Sequence, residues 1–370
     1  MYIRDGKIQF GPLDLDILRE IAPKELQRFL SNESPLPENR ELPPLFHPVC
    51  IPLLMHPYAS PEGVRRCYQK QCSLVLHSRD GREYQAIQIP KSDDRKRTVY
   101  RVSKQLTEYQ RWIQQNILAH LPVHPCATAY KPGSSVKRNA APHVGHRQLV
   151  KVDLKDYFGH ISFLKVKKVF LDAGYSGKVS TSLAGLCTRE GALPQGAVSS
   201  PALANLVFFR LDEQISAFCS SMGITYTRYC DDLCFSSDDL DVKLLLCTLR
   251  KMLSSEGYVI NSSKTRALGP GDRHQITGVV SNMKIQAPSA YRKKIRQEMY
   301  FLRRYGLEEH LSRMGDPRFY QNFAADERFY LNSLLGRIDY VLFLNPEDRE
   351  FAEYREEVAS LGRIERGEEA

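Results

Sequence analysis

The sequence lacks several features that would place it in a membrane or outside the cell. Its 370 residues contain no run of about 18 apolar residues, and the N-terminus M-Y-I-R-D-G lacks the charged and then apolar pattern of a signal peptide. The nine cysteines are irregularly spaced and form no C-x-x-C pair, which favours reduced thiols over a disulfide framework. We therefore expect a cytoplasmic protein.

A standard zinc motif is also missing. Five potential ligands lie close together in the sequence, namely His47, Cys50, His56, Cys67 and Cys72. Their spacing matches none of the usual zinc sites, so ordinary packing is favoured over metal binding at these residues.

Acidic residues are scarce in one part of the chain. Residues 61–150 contain 6 Asp and Glu against 16 Lys and Arg, and the whole chain has a formal net charge of +9. A polyanion such as nucleic acid is the partner that this local excess favours, and a solvated basic face without a ligand is the alternative.

Length and composition predict a folded protein with more than one lobe. The 370 residues exceed the usual size of a single hydrophobic core, so two or three lobes of roughly 100 to 150 residues are expected. A hydrophobic content of 42% and a charged content of 26% are typical of globular chains.

The central part of the sequence alternates between strand and helix patterns. Two strands around a charged turn are predicted at 83–101, a helix at 104–121, and a short strand, Q-L-V-K-V-D-L, that ends near Asp153. After the turn in L-P-Q-G, Ser200 is predicted to cap a helix that runs to about residue 221. The segment I-T-Y-T-R-Y-C-D-D-L-C-F-S-S then predicts a hairpin with two aspartates at its tip.

Later segments continue this alternation. A helix is predicted at 240–254, a strand in G-Y-V-I-N-S-S-K-T-R, and mostly helix after about residue 289. The first 45 residues predict a helix and a proline-rich link.

The adjacent Asp231 and Asp232 need a compensating partner, because neighbouring carboxylates repel each other and resist burial. Two Mg²⁺ ions would supply that compensation if Asp153 supplied a third carboxylate, and such a site catalyses phosphoryl transfer. Asp238 and Asp239 form a rival pair, but they precede a helix and are interpreted as capping residues.

Five segments occur in the order of the successive motifs of reverse transcriptases, a family that the chain resembles over roughly residues 80–345. They are D-L-K-D-Y-F (153–158), L-P-Q-G-A-V-S-S-P (193–201), Y-C-D-D (229–232), N-S-S-K-T (261–265) and T-G (277–278). N-A-A-P-H (139–143) fits the N-A-x-x-H signature of bacterial retron reverse transcriptases, and I-T-G (276–278) resembles their V-T-G. Cys230 replaces the usual alanine of Y-A-D-D and Ile276 replaces valine, and neither change removes a predicted ligand.

The resemblance implies a nucleotide site. Asp153, Asp231 and Asp232 would hold the metals, with the carbonyl of Leu154 assisting. Phe158 would place its ring under the sugar of the incoming nucleotide and so select dNTPs, and Gln195 would contact the same nucleotide. Arg97, in R-K-R-T-V-Y, would bind the triphosphate with its guanidinium, and Lys264 would act as the acid that protonates the leaving pyrophosphate.

The resemblance also implies an α/β (α+β) right-hand polymerase fold. Its parts would be an N-terminal extension (1–44), fingers (45–150), a palm with an antiparallel sheet packed on helices (145–285, with a fingers insertion near 165–190), and a helical thumb with the C-terminal segment (286–370). Asn139 and His143 are expected either to organise the strand that leads to Asp153 or to touch RNA. On the thumb helix, RNA contacts are expected from Lys293, Arg296, Arg303 and Arg304.

Resemblance to retrons implies a specific reaction. One cognate structured RNA would supply template and primer, and synthesis would start at the 2′-hydroxyl of an internal guanosine and yield the branched product msDNA. An effector protein would accompany the enzyme in defence against phage. Two alternatives remain. The first is another bacterial reverse transcriptase, such as the group II intron type, although the segment after residue 345 is short for a maturase or endonuclease domain. The second is a nucleoprotein scaffold that mainly restrains an effector.

Overall fold

The computed structural model describes residues 2–4, 7–90, 96–314 and 323–364. Within these ranges the chain forms helices and short antiparallel strands, which confirms the predicted mixed α/β class. None of the described helices is both long and apolar enough to span a membrane. The charged turn predicted between the first two central strands, which includes the first residue of R-K-R-T-V-Y, lies outside the described residues.

The strands of the described ranges are β1 (Tyr2–Arg4), β2 (Lys7–Gln9), β3 (Tyr84–Pro90), β4 (Lys96–Val102), β5 (Gln148–Asp153), β6 (Thr225–Tyr229), β7 (Asp232–Ser237), β8 (Arg266–Leu268), β9 (Gln275–Ile276) and β10 (Val279–Val280).

The α-helices of the same ranges are α1 (Pro12–Ile21), α2 (Pro23–Leu30), α3 (Cys50–Met55), α4 (Pro61–Arg79), α5 (Lys104–Asn116), α6 (Val136–Ala140), α7 (Phe163–Asp172), α8 (Gly177–Cys187), α9 (Ser200–Ser221), α10 (Val242–Ser255), α11 (Ser289–Met314), α12 (Phe323–Leu344) and α13 (Arg349–Ile364).

The central sheet contains β6, β7, β5 and β8 in that spatial order, with every neighbouring pair antiparallel. Alternation along β5 sends side chains to two different cores. Val150 and Val152 pack in the larger core, which contains the N-terminal helices and α7 to α10, whereas Leu149 packs in a smaller core with α11 to α13. The sheet therefore joins the two helical parts of the molecule.

Residues before 45 belong to the larger core. Leu18 and Leu26 are buried in the same cluster as Leu45 and Val150, so the hydrophobic packing continues across the expected boundary at residue 44. The single helix expected here is wrong in detail. A hairpin of β1 and β2 comes first, and the helical segment is divided into α1 and α2 at Ala22, just before Pro23.

Two helix starts differ by one or two residues from the sequence prediction. The N-cap of α9 is Ser199, and the Ser200 hydroxyl instead donates to the Pro194 carbonyl, 2.8 Å away, inside the preceding turn. The N-cap of α10 is Asp241, whose carboxylate accepts from the Leu244 amide at 3.0 Å. Asp238 is structural, as predicted, but it accepts from the Arg147 amide instead of capping the helix.

The strand predicted in G-Y-V-I-N-S-S-K-T-R is shorter than expected. Ile260 makes a single bridge to Leu154, and the chain then turns through Asn261 before β8 begins at Arg266. The turn exists because the Lys264 and Thr265 amides both donate to the Asn261 carbonyl, at 3.1 and 3.0 Å. This interruption brings Lys264 to the end of β5.

Gly196 allows the L-P-Q-G turn to lie against β4. Its φ of 109° is in the region that favours glycine, and a Cβ at this position would come within 2.6 Å of the Tyr100 carbonyl oxygen. The close approach lets the Tyr100 amide donate to the Gln195 carbonyl at 2.8 Å. Glycine is therefore required here both by conformation and by space.

We predict that Gly196→Ala lowers the free energy of unfolding by about 2 to 3 kcal/mol, because the new methyl group adds a backbone clash to an unfavourable φ. Gly223→Ala is the matched control, since Gly223 also has a positive φ of 63° but has open space at its Cβ, and it should cost only about 1 kcal/mol. Urea titration followed by circular dichroism measures both. Equal losses in the two variants would contradict the steric explanation.

Candidate active site

Three aspartates meet at one edge of the central sheet. Asp153 ends β5 and lies directly opposite Asp232, the first residue of β7, in the antiparallel register. Asp231 occupies the tip of the β6–β7 hairpin, and its carbonyl accepts from the Leu154 amide at 3.1 Å. The structure therefore brings together the three carboxylates that the sequence predicted to share a site.

Burial and mutual repulsion make two of these carboxyl groups harder to ionise. Burial raises the pKa of Asp232 to about 6, and the negative charge of Asp231 adds to the effect. Burial also raises the pKa of Asp231, with the charge of Asp153 contributing. A cation placed between these groups would relieve that repulsion.

Asp153 is held by two groups from the turn after Ile260. The Lys264 ammonium lies 2.8 Å from Asp153 Oδ1, and the Asn261 amide donates to Oδ2, also at 2.8 Å. Lys264 was predicted from the sequence to lie at the site, whereas no role was predicted for Asn261. Its position at the head of N-S-S-K-T was the available signal.

The three carboxylates fit a site for Mg²⁺. Carboxylate oxygens are the protein ligands that Mg²⁺ prefers, and the Lys264 ammonium already compensates one of the three. The residues suggested as zinc ligands do not gather. Among the described residues, His124, Cys126 and Asp212 form the one group of three potential metal ligands whose donor atoms all lie within 4.8 Å of one another, and Asp212 is already paired with a buried arginine. The oxygens of the three aspartates are spread more widely than this, and Lys264 contacts one oxygen of Asp153, so bound ions would draw the three carboxylates closer together.

A cavity of about 560 Å³ opens beside Asp153 and Asp231. Its lining includes all the residues, besides the three aspartates, that the sequence predicted to act at the nucleotide site. They are Arg97 of β4, Leu154 and Phe158 after β5, Gln195 of the L-P-Q-G turn and Lys264 of the turn after Ile260. The structure thus gathers these side chains around one space next to the carboxylates. Their individual roles remain predictions.

Arg189 is a further cation in this cavity that the sequence analysis missed. Its guanidinium lies over the Tyr100 ring, 4.1 Å from the centroid, and it pairs with Glu190 at 2.7 Å. No motif marked this residue, because it lies in the loop after α8 and reaches the cavity only through the fold.

His143 is buried under the β6–β7 hairpin. Its two ring nitrogens lie 2.7 Å from the Ser236 hydroxyl and 2.8 Å from the Thr227 hydroxyl. Burial lowers the pKa of His143 to about 3, so the ring is neutral at physiological pH. The side chain supports the strands that carry the aspartates.

Asn139 is buried as completely as His143. Its carbonyl oxygen accepts from the Thr128 hydroxyl at 2.7 Å, and its amide donates to the Thr277 hydroxyl at 3.4 Å. Buried side chains leave no atoms for RNA to contact, which corrects the prediction that Asn139 and His143 bind RNA. The alternative prediction, that they organise the strands near Asp153, agrees with their positions.

The two signature segments N-A-A-P-H and I-T-G therefore touch each other. Thr277 and Gly278 form the two-residue loop between β9 and β10, and both have positive φ, 45° and 83°. A β-branched residue is unfavourable in that conformation. The hydrogen bond from Asn139 to the Thr277 hydroxyl helps to hold it there.

The predicted apolar stripe of α11 is confirmed, because Ile295, Met299 and Leu302 are buried in the smaller core. Of the four basic residues predicted to contact RNA from this helix, two form ion pairs with α13 and, within the described residues, two are exposed without such a pair.

Arg296 pairs in a bidentate manner with Glu350 of α13, and Arg303 pairs in the same way with Glu357. Each guanidinium therefore already has a carboxylate partner, but 39% of the Arg296 side chain and 49% of the Arg303 side chain stay exposed, and the expected contacts to RNA remain a prediction. Lys293 is exposed, and Arg304 is exposed beside Tyr300.

Sequence comparisons connect this site to known proteins. The sequence model of the family described as "Reverse transcriptase (RNA-dependent DNA polymerase)" matches residues 89–287, more than half of the chain. The chain is 36% identical over 233 residues to the Retron Ec86 reverse transcriptase of Escherichia coli, a match that covers 62% of this chain and 72% of the relative. It is 32% identical over 289 residues to the Retron Mx65 reverse transcriptase of Myxococcus xanthus, covering 73% of this chain and 63% of the relative.

A third relative, the Retron Mx162 reverse transcriptase of Myxococcus xanthus, is 35% identical over 228 residues, which are 54% of this chain and 47% of the relative. The matches thus span about half to three quarters of the relatives' lengths. Among solved structures, the chain is similar to apo telomerase from Candida tropicalis, with a TM-score of 0.47, 9% identity, and coverage of 76% of this chain and 58% of that chain.

We predict that His143→Gln makes the protein less sensitive to acid. In the unfolded chain His143 binds a proton below pH 6.5, whereas the folded chain resists protonation down to about pH 3, so stability is present above 6.5 and is lost as the pH falls. This histidine should account for a loss of about 2 kcal/mol between pH 7 and pH 5, which glutamine would not show. Urea titrations at several pH values measure the slope.

The matched control is His56→Gln, because His56 is exposed. This control should follow the wild-type dependence on pH. If His143→Gln follows it as well, the buried neutral histidine is not the source of the acid sensitivity.

Proposed function

This chain belongs to the reverse transcriptase family and, within it, to the retron reverse transcriptases, and from this premise we propose that it copies part of one cognate structured non-coding RNA into msDNA. Synthesis starts at the 2′-hydroxyl of an internal guanosine of that RNA. The observation that carries the proposal is the meeting of Asp153, Asp231 and Asp232 beside a cavity lined by cations and an aromatic ring. The retron relatives and the signature segments support the choice of a cognate RNA.

The proposed architecture is that of a right-hand polymerase. Residues 45–150 would form the fingers behind the 1–44 extension, 145–285 the palm with a fingers insertion near 165–190, and 286–370 the thumb and C-terminal segment. The central sheet within 145–285 and the helices α11 to α13 after it support this division.

Asp153, Asp231 and Asp232 would hold two Mg²⁺ ions, which supply electrostatic stabilisation of the charge that develops during phosphoryl transfer. In the reaction, a hydroxyl oxygen loses its proton to solvent and forms a bond to the α-phosphorus of a dNTP; this hydroxyl is the guanosine 2′-hydroxyl for the first nucleotide and the terminal hydroxyl of the growing DNA for each later one. The bond from that phosphorus to the bridging oxygen breaks, and pyrophosphate leaves.

The side chains around the cavity would orient the nucleotide. Arg97 suits the triphosphate, because a guanidinium can donate two parallel hydrogen bonds to phosphate oxygens. Phe158 would lie under the sugar and leave no room for a 2′-hydroxyl, while Gln195 contacts the same nucleotide from the L-P-Q-G turn. Lys264 would transfer a proton from Nζ to the departing pyrophosphate.

RNA would be held mainly by charge and shape. Lys293 and Arg304 are exposed on α11 and can approach a phosphate backbone, and Arg296 and Arg303 brace α11 against α13. The proposed partners are the cognate RNA, its msDNA product, dNTPs and an effector protein in defence against phage. The effector and the defence role depend only on membership of the retron group.

The proposed reaction is tested by the nucleic acid that copurifies with the protein from its host. The wild-type protein should carry one abundant structured RNA joined to short DNA through a branched linkage, detected by sequencing and by resistance of the junction to alkali. Asp231→Asn should carry the RNA without the DNA, because one of three metal ligands is lost while the RNA contacts remain. Asp239→Asn, the same change at an exposed residue, is the matched control and should keep the DNA.

A heterogeneous population of copurified RNA with no branched species would overturn the retron-specific reaction. Wild-type amounts of DNA on Asp231→Asn would overturn the assignment of the metal ligands.

We expect Phe158→Val to weaken the discrimination between dNTPs and rNTPs, because a smaller side chain opens space where the 2′-hydroxyl would lie. A loss of one or two orders of magnitude in the ratio of kcat/KM values is expected, about 1 to 3 kcal/mol for a steric pocket of this kind. Steady-state incorporation of dGTP and rGTP on one primed RNA measures the ratio. An unchanged ratio would move the sugar gate to another residue.

A further inference from the structure

The structure contains an arginine whose side chain is entirely buried. Arg228 lies on β6, three residues before Asp231, and its side chain has 0% exposure. A buried guanidinium is costly unless all of its charge and most of its donors find partners. Its partners therefore indicate why the fold keeps it.

Asp212 of α9 neutralises this arginine. Arg228 Nε donates to Asp212 Oδ1 at 2.9 Å, and Nη2 donates to Oδ2 at 2.6 Å, which is a bidentate pair. The Tyr226 hydroxyl also donates to Asp212 Oδ1, at 2.8 Å. The pair alone satisfies the charge, so the third nitrogen, Nη1, is left for other contacts.

Nη1 of Arg228 lies within hydrogen-bond distance of three acceptors. They are Asn205 Oδ1 at 3.0 Å, the Tyr157 hydroxyl at 3.2 Å and the Cys230 carbonyl at 3.2 Å. The Tyr157 hydroxyl in turn donates to the Ala204 carbonyl of α9 at 3.2 Å. One nitrogen thus joins three separate parts of the chain.

Each of those parts carries residues of the candidate active site. Tyr157 directly precedes Phe158 in the segment that begins with Asp153, and Asn205 lies on the helix that follows the L-P-Q-G turn. Cys230 directly precedes Asp231 and has a φ of 60°, a conformation that is unfavourable for a residue with a side chain. The contact to the Cys230 carbonyl supports this turn from beneath.

We propose that Arg228 is a positioning residue that fixes the aspartate turn, the Phe158 segment and α9 relative to one another. Arg228 does not line the cavity beside the aspartates, and it acts through the Cys230 carbonyl and the Tyr157 hydroxyl. The inference rests on the proposed polymerase function, because its consequence is the alignment of the metal ligands with the ring that selects the sugar.

Lysine cannot replace Arg228 in this role. Its single ammonium can pair with Asp212 and keep the buried charge balanced, but it cannot also present a second nitrogen to three acceptors in a fixed plane. Arg228→Lys should therefore lower kcat for dNTP incorporation by about 100-fold, the size of effect that a small misplacement of catalytic groups produces.

Tyr157→Phe tests the same link with little risk to folding, because it removes one hydroxyl and leaves the Arg228–Asp212 pair in place. Without that hydroxyl the Phe158 segment loses its hydrogen bond to the guanidinium. The ratio of dNTP to rNTP incorporation should fall about two- to tenfold, the value of one hydrogen bond. This ratio is measured within one preparation, so an unfolded fraction cancels from it.

Arg337→Lys is the matched control. Arg337 also forms a bidentate pair with a carboxylate, to Glu298 at 2.7 and 2.6 Å, but the pair lies between α11 and α12. It should lower the melting temperature and leave the dNTP to rNTP ratio at the wild-type value.

Wild-type ratios and wild-type kcat in both Arg228→Lys and Tyr157→Phe would overturn the positioning role, and if Arg228→Lys does not fold, Tyr157→Phe decides alone. No incorporation by the wild-type protein on its copurified RNA would instead overturn the proposed function, and this inference with it.

Discussion

The crowding of three carboxylates at one partly buried strand edge is the constraint on which the rest of this structure depends. Asp153 faces Asp232 across the sheet and Asp231 precedes Asp232, so burial and repulsion raise the pKa values of Asp231 and Asp232. Lys264 and Asn261 bind the two oxygens of Asp153 and keep one carboxylate in place. The remaining negative charge makes this edge a place where cations are stabilised.

The strand before the aspartate turn is held on both of its faces. Successive side chains of a strand point in opposite directions, so Thr227 and Arg228 of β6 face different partners. Thr227 contacts His143 on one side, and Arg228 pairs with Asp212 on the other. A turn with an unfavourable backbone conformation at Cys230 thus extends from a strand that has polar anchors on each face.

The sequence was sufficient to predict the fold class, the ends of β5 and the β6–β7 hairpin, and the three aspartates. Those predictions depend on local periodicity and on motifs whose order along the chain is visible. The predicted N-cap of α9 was one residue too late. The Ser200 hydroxyl donates to the Pro194 carbonyl in the preceding turn, a contact that the helical pattern of the sequence does not indicate.

The directions and long-range partners of side chains were not predictable in the same way. The motif N-A-x-x-H indicates that Asn139 and His143 are present, but it does not indicate that both side chains are buried. Arg228 was overlooked because its partners, Asp212, Asn205 and Tyr157, are distant in sequence. Asp153 illustrates the opposite case, since a carboxylate at a strand end is exposed to the site by the local geometry alone.

The basic residues of α11 show that the positive charge available to nucleic acid depends on which arginines form ion pairs within the protein. Arg296 and Arg303 are seven residues apart, as are their partners Glu350 and Glu357, so α11 and α13 run side by side in the same direction over a distance of about 10 Å. These pairs partly neutralise two positive charges that the sequence alone would assign to nucleic acid, although both arginine side chains stay partly exposed. The positive charge that is not offset in this way is carried by residues without a carboxylate at matching height on α13, so the net positive charge of this helix surface is smaller than its composition suggests.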